Sequence, residues 1–286
     1  MLRARRQRPS LCWILLFFLA AGCSQARIIP GGTRSIPGAP PGEPVLIPPA
    51  SEWLMPGEEL EYQICWWGVS VGTAILDVVP AGDGKRVYLM FKARSNPYLE
   101  VFYPVRAELT SLFDPEARSP RRFQAIVRRR WRRHDSVITF DPEKKTAFHQ
   151  LPKGRSATVP IGPVTQDGIS LIYYARSLDM RVGQTIPLQI SADGKNWDLS
   201  GRIVRTSAVK LKGLGTWPAM EGTVELAYPV PFFQGARASI WFGADGRKVP
   251  LFAKIRSRIG PVTVALLRRS FRKGGPPADP FHLDKF

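Results

Sequence analysis

Arginine is the residue type with the most chemical potential in this chain. Residues 118–133 hold Arg118, Arg121, Arg122, Arg128, Arg129, Arg130, Arg132 and Arg133, and no acid. A guanidinium offers a planar fork of donors that matches phosphate or carboxylate oxygens two at a time. The run Arg128, Arg129, Arg130, Trp131, Arg132, Arg133 therefore reads as a candidate anion-binding surface. Phe123, Ala125 and Val127 alternate with Arg122 and Gln124, as in a half-buried strand. Beyond Val127 both parities are charged, and such a strand cannot lie over a core without burying ions. The run is expected to project beyond a sheet or to form an exposed hairpin end. The plain alternative is a solvated edge whose charge deters strand addition. A second basic region, Arg247 to Lys273, carries nine Lys or Arg, with no acid between Gly246 and Ala278.

Residues suited to acid–base or metal chemistry are sparse. The three histidines, His134, His149 and His282, have no partner at metal-ligand or triad-like spacing. The sequence contains no HExxH, CxxC, GxSxG or phosphate-loop pattern. Asp141 and Asp167 sit in turn and helix-cap contexts, where aspartate is favoured for its hydrogen bonds to backbone amides. No catalytic residue, metal ligand or cofactor site is assigned, and the balance leans away from an enzyme.

Cysteine carries a different kind of chemistry. Arg3, Arg5, Arg6 and Arg8 precede an apolar run from Leu11 to Ala21. Eleven apolar residues are too few to span a bilayer core, which takes ~20. The run ends Leu19-Ala20-Ala21-Gly22-Cys23, which resembles a lipobox, whose cysteine is acylated and becomes the new N-terminus. The alternative is an ordinary secretory signal cut after Ala26. On the lipobox reading residues 1–22 are a signal peptide and Cys23 anchors the chain to the membrane. Ser24 then implies the outer membrane, with the protein facing the periplasm. Removing residues 1–22 takes four arginines and no acid, leaving 37 basic against 23 acidic residues, a net charge of +14. That balance favours anionic lipid or glycan, and export disfavours nucleic acid. Cys65 is expected to be a buried, inert thiol, with no internal disulfide because Cys12 lies in the signal and Cys23 carries the lipid.

The elements that must position these groups are mostly strands. Residues 23–51 are expected to hold the anchor and a tether, since Pro30–Ala50 contains seven prolines and four glycines. Residues 52–272 alternate as strands. Leu60, Tyr62, Ile64 and Trp66 oppose Glu59, Glu61 and Gln63, and Val87, Leu89, Phe91 and Ala93 oppose Tyr88, Met90 and Lys92. Asp193-Gly194 and Asp245-Gly246 are hairpin signals. Residues 166–178 space their apolar side chains as a helix, with Asp167 as N-cap. Residues 273–286 read as a flexible tail. The expected fold is mainly β: a curved antiparallel sheet or partly open barrel-like domain with one central helix.

Several stretches carry a family resemblance. They are Pro56-Gly57-Glu58-Glu59-Leu60-Glu61-Tyr62, Gly68-Val69-Ser70-Val71-Gly72, Phe102-Tyr103-Pro104-Val105 and Leu112-Phe113-Asp114-Pro115. Gln166 to Arg176, Ile240-Trp241-Phe242 and Arg247-Lys248-Val249-Pro250 continue the series. In their order and spacing they resemble the domain of unknown function 3108 family of exported bacterial proteins, over about residues 52–270. The resemblance implies an exported, mostly β domain and transfers no catalytic residue. Three functions remain open. The first is a non-enzymatic envelope lipoprotein that binds anionic lipid or glycan through its arginines. The others are an enzyme acting on envelope polymers and a structural partner in an envelope protein complex, its partners unknown.

Overall fold

The computed structural model describes residues 26–30, 50–226, 236–257, 260–272 and Phe281. Sixteen strands among them join one sheet. The first half comprises β1 (Ala26–Pro30), β2 (Glu58–Trp66), β3 (Val69–Pro80), β4 (Val87–Ser95), β5 (Val105–Asp114), β6 (Ser119–Arg129), β7 (Arg132–Asp141) and β8 (Thr146–Leu151). The second half comprises β9 (Arg155–Pro160), β10 (Thr165–Gln166), β11 (Thr185–Ala192), β12 (Lys195–Leu211), β13 (Gly215–Leu226), β14 (Ala236–Gly243), β15 (Pro250–Ser257) and β16 (Gly260–Phe271). Three short helices interrupt them: α1 (Ala50–Trp53), α2 (Pro97–Glu100) and α3 (Ser170–Ser177).

The strand order is β10-β11-β12-β13-β14-β15-β16-β2-β3-β4-β5-β6-β7-β8-β9, with β1 added beside β12. Nearly every neighbour pair is antiparallel and consecutive, so the sheet is a long meander joined through the β16–β2 pair. Alternation builds its inner face. Leu60, Leu76, Leu89, Phe113 and Ile138 are buried there, and α3 adds Ile169 and Tyr173 to the same core. The Trp53 and Phe113 rings meet edge to face at 6.3 Å.

The sheet curls until its two ends touch through side chains. His149 of β8 and Ser191 of β11 lie 3.0 Å apart, and the Gly194 amide donates to His149 Nδ1 at 3.2 Å. The Asn196 amide also donates to the Pro160 carbonyl. Gly194 takes φ +75 in the turn after Asp193, as a tight hairpin requires. A Cβ there would lie 3.1 Å from the Ala157 Cβ, so the close approach favours glycine as well. A barrel-like sheet with a side-chain seam is thus the form that the expected fold takes.

A buried ion network holds α3 against this sheet. Arg176 donates from Nη1 to Glu58 Oε2 at 2.7 Å and from Nε to the Arg247 carbonyl at 3.0 Å. Arg269 donates from Nε to Glu58 Oε1 at 2.9 Å. Both Arg176 and Glu58 have fully buried side chains.

Four sequence readings need adjustment. Ala26–Pro30, within the stretch read as tether, is a strand in register with Ser207–Leu211. Its apolar Ile28 and Ile29 suit pairing, and the proline-dense stretch begins only at Pro30. The helix is shorter than expected, Ser170–Ser177, but Asp167 still caps it, accepting from the Ile169 and Ser170 amides at 2.8 and 2.9 Å. Cys65 is buried as expected, yet it is disulfide-bonded rather than a lone thiol. The other two cysteines of the sequence, Cys12 and Cys23, lie outside the described residues. Within the stretch read as a tail, Phe281 is buried, with its ring 5.7 Å from Tyr88 and under the Arg122 guanidinium.

Candidate anion-binding site

The arginine run forms the end of the β6–β7 hairpin. Arg129 pairs with Arg132 and Arg128 with Arg133, which leaves Arg130 and Trp131 as a two-residue turn. Arg130 adopts φ +48, the left-handed region that such turns demand. Its amide donates to the Pro104 carbonyl at 3.0 Å, and its guanidinium stacks 5.0 Å from the centre of the Trp131 ring. Trp131 is 84% exposed. Arg128, Arg130, Arg132 and Arg133 are exposed and Arg129 is half-buried. Charge on both parities is therefore accommodated beyond the core, as the desolvation argument requires.

Strand register adds two arginines that the linear sequence keeps far apart. Arg94 pairs with Arg106, Arg106 with Arg128, and Arg128 with Arg133. Four guanidinium side chains thus stand in one row across β4, β5, β6 and β7. Neighbouring strands are ~4.8 Å apart, so the row spans roughly 14 Å. Like charges directly opposite each other are destabilising in a sheet. Arg106 is relieved by Glu100 at 3.4 Å and Arg133 by Asp135 at 2.6 Å. Arg94 and Arg128 have no ion-pair partner among the described residues. In this row unneutralised forks, Arg94 and Arg128, alternate with paired ones, Arg106 and Arg133, a geometry suited to several phosphate or carboxylate groups at once.

The described C-terminal part of the second basic region does not adjoin the first. Arg268, Arg269 and Arg272 stand at the far end of β16, separated from β6 and β7 by β2 to β5. These arginines are also occupied: Arg268 binds Glu59 and Glu61, Arg269 binds Glu58, and Arg272 binds Glu59.

The fold brings one serine and one histidine together, which their sequence spacing did not suggest. His149 Nε2 and Ser191 Oγ are 3.0 Å apart and both residues are buried. The Gly194 amide can only donate, so Nδ1 of His149 is the acceptor. Burial pushes the His149 pKa down, with the charge of Asp193 opposing, and keeps the ring neutral. Its one proton then sits on Nε2 and points at Ser191 Oγ. A general base needs a lone pair at that position. The pair is therefore a latch across the seam and not a nucleophile–base dyad. His134 is on the surface, 3.9 Å from Asp193. His282 and Cys23 lie outside the described residues. No group of three His, Cys, Asp or Glu is placed to hold a metal among the described residues.

Both flagged aspartates serve the backbone. Asp141 accepts from the Lys144 amide at 3.0 Å, and that bond lowers its pKa. Asp167 is buried inside the barrel, which raises its pKa, although Ser111 donates to it at 2.5 Å and two amides do the same.

Comparison with known proteins agrees with this architecture. The crystal structure of a beta-barrel-like protein of domain of unknown function DUF1849 from Brucella abortus is similar, with a TM-score of 0.52 and 11% identity. The match covers 76% of this chain and 98% of that one. The 2.0 Å structure of the hypothetical protein CT021 from Chlamydia trachomatis matches more loosely, at a TM-score of 0.35 and 8% identity, over 79% of this chain and 93% of that one. No curated protein matches the chain. The family model for proteins of unknown function DUF3108 matches residues 61–267, and the chain belongs to that family.

Proposed function

We propose that the protein is a non-enzymatic binding module of the bacterial cell envelope that engages anionic lipid headgroups or glycan through the arginines of β4 to β7. The observation that carries this reading is the in-register row Arg94, Arg106, Arg128 and Arg133. Such a row costs folding free energy, and a bound polyanion offsets that cost. The run at the hairpin tip, Arg129, Arg130 and Arg132, extends the same field.

The test is binding of the exported chain, without its acyl group, to soluble polyphosphate and to vesicles with and without anionic lipid, at low and high salt. Near an anionic leaflet each basic residue adds about 1 kcal/mol. Replacing Arg94 and Arg128 by Ser should therefore weaken binding to both probes roughly 30-fold. High salt should weaken the wild type through screening. Equal binding by wild type and the double variant at low salt would show that the row is only a solvated edge.

The sequence-derived location belongs to the same reading: export, an acyl anchor at Cys23, and a position facing the periplasm at the outer membrane. Acylation takes the thiol of Cys23, so it excludes a disulfide at that sulfur. Intact mass of the membrane-extracted protein, with and without reductant, decides which modification Cys23 carries. If Cys23→Ala leaves membrane association and mass unchanged apart from the substitution, the anchor is wrong.

A further inference from the structure

Consecutive strands of β2 to β7 run in opposite directions, so the β2–β3, β4–β5 and β6–β7 connections share one end of the sheet. Thirteen large hydrophobic residues are exposed among the described residues, and eight of them belong to these three connections or their flanking strand ends. The most prominent are Trp67 at 65% exposure, Tyr98 at 85%, Val101 at 78%, Phe102 at 62% and Trp131 at 84%. Isolated exposed hydrophobics are ordinary, whereas a contiguous group marks an interaction surface.

Hydrogen bonds tie the group together. The Trp67 amide donates to the Pro261 carbonyl at 3.0 Å. Asn96 donates from Nδ2 to the Ser70 carbonyl at 2.6 Å, while its Oδ1 caps α2 by accepting from the Leu99 amide at 3.0 Å. The Arg130 amide then reaches the Pro104 carbonyl. Each connection is thereby fixed to its neighbour, and the three stand two strands apart, about 10 Å. No residue of α2 is buried. The packing of the fold therefore does not explain its apolar side chains.

Charge identifies what covers this rim. The three connections contain a single carboxylate, Glu100, and it is held by Arg106. The arginine row begins at Arg128 and Arg133, two residues behind the Arg130–Trp131 tip, a setback of roughly 7 Å along the strand. Arg130 stacks on Trp131 at the tip itself, and the guanidinium row stands about one headgroup depth behind the exposed rings. Rings at the front with cations beside and behind them suit a bilayer surface, where apolar faces sink ~5–10 Å into the headgroup–acyl boundary. A soluble glycan can stack a sugar face on one ring but offers no continuous apolar layer to meet the whole rim.

We propose that this rim docks on the surface of an anionic bilayer, with Trp67, Phe102 and Trp131 entering the interface and the arginine row meeting the lipid phosphates. The inference rests on the anion-binding reading and narrows it to a lipid surface. Two variants of the exported chain without its acyl group separate them: Trp67→Ser/Phe102→Ser/Trp131→Ser, and Arg94→Ser/Arg128→Ser. Binding is measured on phosphatidylglycerol-containing vesicles, phosphatidylcholine vesicles and soluble polyphosphate.

The aromatic variant should bind the anionic vesicles on the order of tenfold more weakly, because it loses buried apolar area. It should bind polyphosphate as wild type does. The arginine variant should bind both probes roughly 30-fold more weakly. Wild-type vesicle binding by the aromatic variant overturns the bilayer inference and leaves the anion-binding reading standing. An arginine variant that binds both probes like wild type sinks the anion-binding reading instead. If the wild type ignores vesicles, and native mass spectrometry shows a dimer that the aromatic variant loses, the rim is a protein interface and the inference is overturned. In thermal melts the aromatic variant should match wild type and the arginine variant should melt no lower, which separates loss of binding from loss of fold.

Discussion

The two ends of β2 to β8 are built from the same kind of connection and have opposite chemistry. At one end the connections carry Trp67, α2 with its exposed aromatics, and the Arg130–Trp131 turn. At the other end each connection has an aspartate, within it or at its start, that binds its own turn. Asp83 accepts from the Lys85 and Arg86 amides, Asp114 from the Glu116 and Ala117 amides, and Asp141 from the Lys144 amide. Each aspartate also pairs with a nearby cation: Arg86, Arg121 or Lys144. Turns that only have to reverse the chain look like the second set, since short polar side chains satisfy the exposed amides. The first set holds Arg130 with no carboxylate partner among the described residues and leaves large apolar side chains exposed. Reversing the chain does not demand that, whereas the proposed anionic surface would.

If the division is right, the aspartate end is where substitutions damage the fold. Glu58 lies at that end of β2, between Arg176 and Arg269. Glu58→Ala strands the fully buried Arg176 guanidinium and takes a partner from the largely buried Arg269, and should cost about 3–5 kcal/mol. Denaturant melts check this, and a loss below about 1 kcal/mol would mean that the network does not hold α3. Substitutions at the arginine end, such as Trp131→Ser, should stay within ~0.5 kcal/mol of wild type.

Asp114 sharpens the contrast at intermediate size. Burial works to raise its pKa, but the Ala117 amide and Arg121 outweigh it, and the net shift is downward. A depressed carboxyl pKa contributes stability that is present above the ordinary value of 3.8 and is lost as pH falls through the folded value. Asp114→Ala loses two amide hydrogen bonds, roughly 1–2 kcal/mol. The gap between wild type and variant should be full at neutral pH and shrink once pH falls below the high threes. A gap that does not change with pH would show that the charge of Asp114 contributes nothing.

The sequence exposed this division only in part. Five arginines in six positions could not be buried on either parity, so a hairpin end was legible at 128–133. Arg94 and Arg106 carried no such signal, since each lies in an ordinary alternating strand and becomes part of the site only through register. Register likewise hid the Ser191–His149 latch, which joins residues 42 positions apart across a seam. The burial of Glu58 and Arg176 carried no sequence signal, because charged residues are almost never fully buried unless paired, and their partnership spans 118 positions. The hairpin signal at Asp193-Gly194 and the cap at Asp167 were legible because both are local chemistry. Composition misplaced β1, for the dense prolines nearby lent their character to a short strand that lacks it until Pro30.

The smallest expected effect has a sign that discriminates best. Arg128 faces Arg106 on one side and Arg133 on the other, with no carboxylate partner of its own among the described residues. Replacing it by Thr removes two like-charge contacts, each costing roughly 0.2–1 kcal/mol, and installs a residue that favours strands. Arg128→Thr should therefore raise stability by a few tenths of a kcal/mol to about 1 kcal/mol, while weakening vesicle binding. In a domain of this size that is a rise of about 2–4 °C in Tm at most. Because the repulsion is between exposed charges, the gain should shrink as salt is added. Lys144→Thr at the opposite end is the control. Lys144 pairs with Asp141 at 3.2 Å, so losing it should be neutral or slightly destabilising. A protein that becomes more stable when it loses a binding group keeps that group for binding. If Arg128→Thr instead lowers Tm at low salt, the row is held for the fold and the contrast between the two ends is only one of composition.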